Sequence, residues 1–389
     1  MLATITVNSL DDNSVGDGFV TLREAIQAAN QNISVDGSVA GTGNDTIVFD
    51  SALSGQPILL FAELEITEPL TIDATALASG ITIDALENGR VFNITASAGD
   101  FELSGLTLIN GRTTGDDGFG PNTTYSGGAI RSVTTGTLTL NQTDVRDSFT
   151  TGERARGGGI FAIGDVVLRK STVSGNYTVD SNSLGAGVYS DTTVSLFDSS
   201  VSNNHTRGFG AAGGGIFAVD VSLSNSAVSG NFTEGFSARG GGIATFGTVT
   251  LTNSSVSDNH TRDDDSDGGG ISASGDVTLD ASRVDGNRTL GESSLGGGIA
   301  SRASVILRSS FVEDNFTQSQ YSAGGGVFAI DAVGLNESVV SGNRTEGNNA
   351  SGGGIVAADG DVILIRRQEF SSATVILAKL PFRLRGNFW

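Results

Sequence analysis

Acidic side chains are the groups in this 389-residue chain that are best suited to metal binding or acid–base chemistry. Four of them cluster in one short segment, at Asp263, Asp264, Asp265 and Asp267. Carboxylate oxygens are the ligands that calcium prefers, so this segment is the candidate metal site. A solvated acidic loop is the alternative interpretation, and no cofactor other than Ca²⁺ is expected.

Adjacent carboxylates also occur at Asp11-Asp12 and at Asp116-Asp117. Glycoside hydrolases use paired carboxylates, whereas a lyase needs a basic group to abstract a proton. The long insertion at 111–127 contains the second pair and is the best place for a cleft. A polysaccharide lyase or glycoside hydrolase is therefore the alternative function, and no set of catalytic residues is assigned.

Two histidines, His205 and His260, directly follow an asparagine that recurs along the chain. They lie two repeats apart, about 10 Å at the spacing of stacked strands, which is too far to hold one ion. Equivalent positions in other repeats carry aromatic or cationic residues, which predicts an outward stack along one edge. The candidate ligand-binding residues are the aromatic side chains of this edge and of the loops beside it, namely Tyr177, Phe209, Phe232, Phe236, Phe316 and Tyr321.

A repeat of 27 to 30 residues must position all of these side chains. An isoleucine or valine closes a glycine run in each repeat, at Ile130, Ile160, Val188, Ile216, Ile243, Ile271, Ile299, Val327 and Ile355. An asparagine keeps the same step, at Asn176, Asn204, Asn231, Asn259, Asn287, Asn315 and Asn343. Two markers in register indicate a stacked repeat architecture.

One repeat shows which architecture this is. The runs 240–244, 249–251 and 255–259 each have apolar residues at alternate positions, which is the strand period. We therefore predict an all-β, single-stranded parallel β-helix with three short strands per coil and no helix within 127–364. The asparagines should form a ladder inside a turn, which also explains the Asn-x-Thr triplets without glycosylation. The one short repeat should lack its residue in the turn near Asp220.

The sequence of the N-terminal segment predicts a helix that caps the β-helix. Thr21 and Glu24 have the spacing of a capping box, and apolar residues follow at helical spacing from Leu22 to Asn30. This amphipathic helix should cover the open end of the β-helix core. Less regular strands are expected at 46–49, 58–61, 70–73, 81–84, 91–94 and 106–109.

These N-terminal residues carry a resemblance. The segments 19–26, 45–49, 70–73, 90–94 and 103–108 resemble the CSLREA-type N-terminal segment of bacterial right-handed β-helix surface proteins. The cysteine-serine pair of that family is replaced here by Val20-Thr21. The later units, as at Gly213–Ile216 and Val228–Asn231, resemble polymorphic outer-membrane-protein repeats. The resemblance implies right-handed winding and an extracellular or outer-membrane location.

Residues 365–389 depart from the repeat. They carry five Lys or Arg and one acid, and they include the single tryptophan, Trp389. A capping strand at 374–378, a foreign or out-of-frame tail, and the aromatic-ending signal of outer-membrane barrels are three open interpretations. The predicted organisation is a cap with irregular first coils at 1–110, regular coils at 111–364, and an atypical basic tail at 365–389.

Composition limits the partners. The net charge of −21 disfavours nucleic acid and anionic membranes, and the lack of cysteine excludes disulfides and zinc–thiolate sites. No apolar run is long enough for a transmembrane helix, and the first residues do not resemble a signal peptide. We expect a monomeric, secreted or cell-surface structural or adhesive module that binds an extracellular glycan or protein, with its export signal outside this chain.

Overall fold

The protein is a right-handed parallel β-solenoid of about 11 turns with about 28 residues per coil. The computed structural model describes residues 2–118, 123–364 and 375–376. All strand pairs in these residues are parallel and join each coil to the next. The predicted β-helix is confirmed.

Each regular coil contributes one strand to each of four sheets, which we number in chain order. Sheet 1 begins after the glycine run and has the strands Leu64–Ile66, Phe92–Ile94, Ile130–Ser132, Ile160–Ala162, Val188–Ser190, Ile216–Ala218, Ile243–Thr245, Ile271–Ala273, Ile299–Ser301, Val327–Ala329, Ile355–Ala357 and Val375–Ile376. Sheet 2 has the strands Thr4–Val7, Asp45–Phe49, Leu70–Asp73, Phe101–Ser104, Leu138–Asn141, Val166–Arg169, Thr193–Phe197, Asp220–Ser224, Val249–Thr252, Val277–Asp280, Val305–Arg308, Val333–Asn336 and Val362–Leu364.

The other two sheets complete each coil. Sheet 3 has the strands Pro57–Leu59, Ile81–Asp84, Leu106–Ile109, Asp144–Arg146, Thr172–Ser174, Ser200–Ser202, Ala227–Ser229, Ser255–Ser257, Arg283–Asp285, Phe311–Glu313 and Val339–Ser341. Sheet 4 has the short strands Arg112–Thr113, Phe149–Thr150, Tyr177–Thr178, His205–Arg207, Phe232–Glu234, His260–Thr261, Arg288–Thr289, Phe316–Thr317 and Arg344–Thr345.

The prediction of three strands per coil was wrong, since the regular coils also contribute a short strand to sheet 4. Most of its strands have only two residues, an outward aromatic or cationic residue and an inward threonine such as Thr178 or Thr206. Two residues are too few for a period of two to show in the sequence. The strands form because the coils above and below supply parallel partners.

A continuous apolar core runs from Ile5 to Ala357. The predicted inward column is confirmed, since Ile243 and Ile271 are paired in register and both are fully buried. The glycine before this column is required by close packing: a Cβ on Gly242 would lie 2.9 Å from the Asn259 Cγ. The short repeat does lose its residue beside Asp220, because Ala218 pairs with Thr245, 27 residues later, whereas Val221 pairs with Val249, 28 residues later.

The N-terminal cap is also confirmed. Helix α1 spans Leu22–Gln31, Thr21 and Glu24 form the capping box, and Leu22 and Ile26 are buried against the first coils. A one-turn 3-10 helix follows at Ser51–Leu53. Three strands of the irregular coils were not predicted, at Thr4–Val7, Leu64–Ile66 and Phe101–Ser104.

At the other end, Val375–Ile376 pairs with the last regular strand of sheet 1, within the predicted capping strand at 374–378. The rest of the predicted tail, including Trp389, lies outside the described residues. The three-part domain organisation stays a prediction. In the described part of the chain, no helix has the length and apolar character needed to cross a membrane.

Candidate functional site

An asparagine ladder fixes the turn between sheets 3 and 4. The Asn259 Oδ1 accepts hydrogen bonds from the backbone N–H and the Nδ2 of Asn231, both at 2.9 Å. The Asn259 Nδ2 donates to the Val228 carbonyl and to the Asn287 Oδ1, both at 3.0 Å. The ladder asparagines are buried, so their amides serve the fold, as the sequence predicted.

A second ladder lies at the turn between sheets 2 and 3 and was missed in the sequence. Each hydroxyl accepts from the backbone N–H of the preceding coil and donates to a carbonyl of its own turn, as Ser254 does with Ser226 and Thr252. Its members are Thr143, Ser171, Ser199, Ser226, Ser254, Ser282, Ser310 and Ser338. The serine recurs with the same step as the asparagine, so the repeat contained the signal.

The outward residues of sheet 4 form the predicted stack. Tyr177 lies between Phe149 and His205 with ring centroids 4.6 and 5.1 Å apart, and Phe232 lies between His205 and His260 at 4.7 and 5.0 Å. The planes of these pairs differ by 12° or less. Both faces of each inner ring are therefore covered by its neighbours, and its edge is what remains for a ligand.

Cations also contact the rings of this column. The Arg344 guanidinium lies 4.5 Å from the centre of the Phe316 ring, and Arg262 lies at the same distance over Phe232. The Arg262 Nε donates to the His260 Nε2 at 3.1 Å, so this nitrogen is an unprotonated acceptor. Glu234 pairs with both Arg207 and Arg262.

The two histidines are neutral components of this stack. The pKa of His205 is lowered to about 4, chiefly by burial and next by the charge of Arg207. Burial lowers the pKa of His260 likewise to about 4, with Arg262 as the next cause. At neutral pH both rings therefore stack as uncharged aromatic groups, which agrees with the packing role inferred from the sequence.

The eight-residue loops after each ladder asparagine are not independent of one another. Their distal residues, at 151–156, 179–184, 207–212, 234–239, 262–267, 290–295, 318–323 and 346–351, form a surface that we call the loop ribbon. A backbone hydrogen bond joins each loop to the next, as from Gly210 to Phe236 at 3.0 Å and from Ser237 to Asp264 at 3.0 Å. The sixth loop residue is left-handed throughout, with φ of 58° at Asn182 and 59° at Tyr321.

The loop ribbon carries the most exposed of the predicted ligand-binding rings. Phe209 and Phe236 are stacked at 5.9 Å, and they are 56% and 46% exposed. Each has a neighbouring ring on one side only, since Ser181 and Asp264 occupy the adjacent loops. Tyr321 is 58% exposed and lies three coils away from Phe236.

The candidate calcium ligands are not brought together. Asp263 accepts from the Gly235 N–H at 2.6 Å, Asp264 from the Glu292 N–H at 2.7 Å, and Asp267 from the Leu295 N–H at 2.9 Å. Burial raises the pKa of Asp267 to about 6, against the effect of Arg239. Across the described residues, no three Asp, Glu or His side chains converge to hold a metal. Calcium binding stays a prediction.

The acidic pairs that would serve a glycosidase are also engaged in the fold. Asp12 binds the Arg23 guanidinium and the Phe61 N–H. Asp117 is buried and accepts from the Tyr125 N–H at 2.8 Å and the Ser126 hydroxyl at 2.6 Å. Asp116 accepts from the Glu153 N–H at 2.8 Å.

A groove of about 720 Å³ follows the serine ladder on the outside of the turn between sheets 2 and 3. One wall is a row of left-handed residues, Lys170, Asp198, Asn225, Asn253 and Ala281. The other wall is the first residue of successive sheet 3 strands, Thr172, Ser200, Ala227, Ser255, Arg283 and Phe311. The sequence did not predict this groove, because these positions share no residue type.

Comparison with known proteins agrees with the architecture. The model of the family described as "Right handed beta helix region" matches residues 184–370. No curated protein and no solved structure matches the chain significantly. The family match over this part of the chain and the four parallel sheets both support a right-handed parallel β-helix fold.

Proposed function

We propose that this protein is a non-catalytic binding scaffold of the cell surface or extracellular medium, which presents its loop ribbon to an extracellular glycan or protein. The observation that carries the proposal is the constant backbone of the ribbon under varying side chains. Position five of the loop, for example, holds Phe209, Phe236, Asp264 and Glu292 in consecutive coils. Recognition surfaces are commonly built in this way, with variable residues on a rigid scaffold.

The exposed pair Phe209 and Phe236 gives this surface an apolar anchor. Aromatic side chains dominate the energetics of protein interfaces, and one open face of each ring is free to stack on a sugar or a partner side chain. The acidic Asp264 and Glu292 next to the pair supply a polar rim. The bonding of Asp12, Asp116 and Asp117 to backbone and side-chain groups favours binding over acid–base catalysis. The location rests on the resemblance to bacterial surface proteins.

Binding to an array of glycans and extracellular matrix proteins tests the proposal. We expect the double variant Phe209→Ser/Phe236→Ser to lose at least tenfold in affinity for the ligand found. Phe246→Ser is the matched control, because Phe246 is 66% exposed outside the ribbon. Equal losses in both variants would contradict the assignment of the ribbon. Sustained release of unsaturated products or reducing ends from pectin or alginate would overturn the non-catalytic role.

A further inference from the structure

The groove along the serine ladder has the form of a second binding site, on a different turn of the coil from the loop ribbon. Successive wall residues lie one coil apart, so the span from Lys170 to Ala281 is roughly 19 Å. Its volume of about 720 Å³ is within the range of ligand sites in proteins. The groove is therefore an open depression along the solenoid axis that suits an extended chain molecule.

The floor of this groove offers few groups to a ligand, because its hydroxyl residues are buried and their donor hydrogens are used inside the ladder. Each ladder hydroxyl both donates and accepts within the turn, as Ser226 does with the Ser224 carbonyl and the Ser199 N–H. The ladder serines are buried and hold the two walls at a fixed separation. Recognition must therefore come from the walls.

The walls present amides and hydroxyls. Asn225 and Asn253 are exposed in consecutive coils, and neither side-chain amide has a hydrogen-bond partner among the described residues. Ser200 and Ser255 face them from the other wall. An amide both donates and accepts, and so does a hydroxyl, which is the chemistry that matches the hydroxyl groups of a sugar.

The ends of the groove are charge-balanced. Lys170 at one end is accompanied by Asp198 in the next coil, and Arg283 at the other end pairs with Glu313 at 2.7 Å. The Arg283 guanidinium lies 5.1 Å from the centre of the Phe311 ring, which is 39% exposed and forms a flat end wall. A polyanion would meet no excess of positive charge here and would be repelled by the net charge of −21.

We infer that this groove binds a neutral oligosaccharide, extended along the solenoid axis and held by hydrogen bonds from Asn225 and Asn253. The inference names a ligand class for the binding role proposed above and places it on a separate surface. Its variants leave the loop ribbon unchanged, so the two proposals can fail independently.

Calorimetric titration with hexasaccharides tests the inference. The probes are neutral hexamers of glucose, galactose, mannose and N-acetylglucosamine, with hexagalacturonate as the polyanion. We expect at least one neutral hexamer to bind more tightly than hexagalacturonate. Failure of all four neutral hexamers to bind, or preferential binding of hexagalacturonate, would overturn the inference.

Two variants locate the binding. Ala227→Arg places a long side chain in mid-groove, in the column that already accommodates Arg283, and we expect at least a tenfold loss of affinity. Thr250→Arg, on the exposed face of sheet 2 outside the groove, is the control and should bind normally. The double variant Asn225→Gly/Asn253→Gly removes both amides while tolerating the left-handed conformation, and should weaken binding several-fold. Normal affinity in Ala227→Arg, with an unchanged melting curve, would refute the site.

Discussion

Replacement of one asparagine in the middle of the ladder should destabilise the solenoid far beyond the loss of one side chain. The Asn259 side chain makes four hydrogen bonds, two as acceptor from Asn231 and two as donor to Val228 and Asn287. Asn259→Ala removes all four within a buried turn. At about 1 kcal/mol for each net hydrogen bond, the free energy of unfolding should fall by about 4 kcal/mol. The loss of stability should be larger still, because the former hydrogen-bond partners of Asn259 stay buried with no new partner.

Serine supplies the graded comparison, because Ser148 already occupies the ladder position one coil before Asn176. Its Oγ accepts from the Gly111 N–H at 3.0 Å. Asn259→Ser can keep that kind of bond and should lose about half as much stability as Asn259→Ala.

Urea unfolding followed by circular dichroism gives the overall loss, and hydrogen exchange shows where the coils open. In a solenoid each coil contacts only its neighbours, so exchange should rise first in the coils that contain Asn231 and Asn287. An Asn259→Ala protein within about 1 kcal/mol of the parent would refute the reasoning, because a single net hydrogen bond is worth that much.

Two further outcomes are expected. The folded pKa of His205 and His260, about 4, lies below the ordinary value of 6.5, so the unfolded chain binds protons more readily between these values. The two histidines should therefore reduce the stability of the parent as the pH drops from 6.5 to 4, whereas Asp267, with its raised pKa, acts in the opposite direction in part of this range. The parent should lose more stability over this range than His205→Phe/His260→Phe in urea titrations; an identical pH profile would contradict it. In the cap, Ile26→Asp should lower the free energy of unfolding by a few kcal/mol, since it buries an unpaired charge at the open end of the core. The exposed Gln31→Asp should have little effect on the melting curve, and an equal effect of both changes would remove the capping role of Ile26.

Much of the fold was predictable because every coil of a solenoid repeats the same residue types at the same positions. Ile243 and Asn259 recur in register with their counterparts, so their burial and the ladder followed from spacing alone. The capping box at Thr21 was equally local, since both partners lie within one helical turn. The serine ladder carried the same kind of signal. Sheet 4 did not, because a two-residue strand has no visible period.

The candidate calcium ligands could not be placed from the sequence, because residue spacing does not tell which way each side chain points. Asp263 and Asp264 are neighbours in sequence, yet they bind backbone groups in opposite adjacent coils, at Gly235 and Glu292. The ring stack at Tyr177 is different, because Phe149 and His205 lie 28 positions away in either direction and the repeat spacing predicted their contact.

The repeat, the inward columns and the cap depend on residue type at fixed local intervals, so they could be predicted from the amino-acid sequence. The stacking of the loops into a ribbon and the groove between Asn225 and Ser255 are visible only in the folded chain. Both surfaces arise between coils. Backbone hydrogen bonds align each left-handed turn with the next, and a surface made in this way belongs to no single repeat.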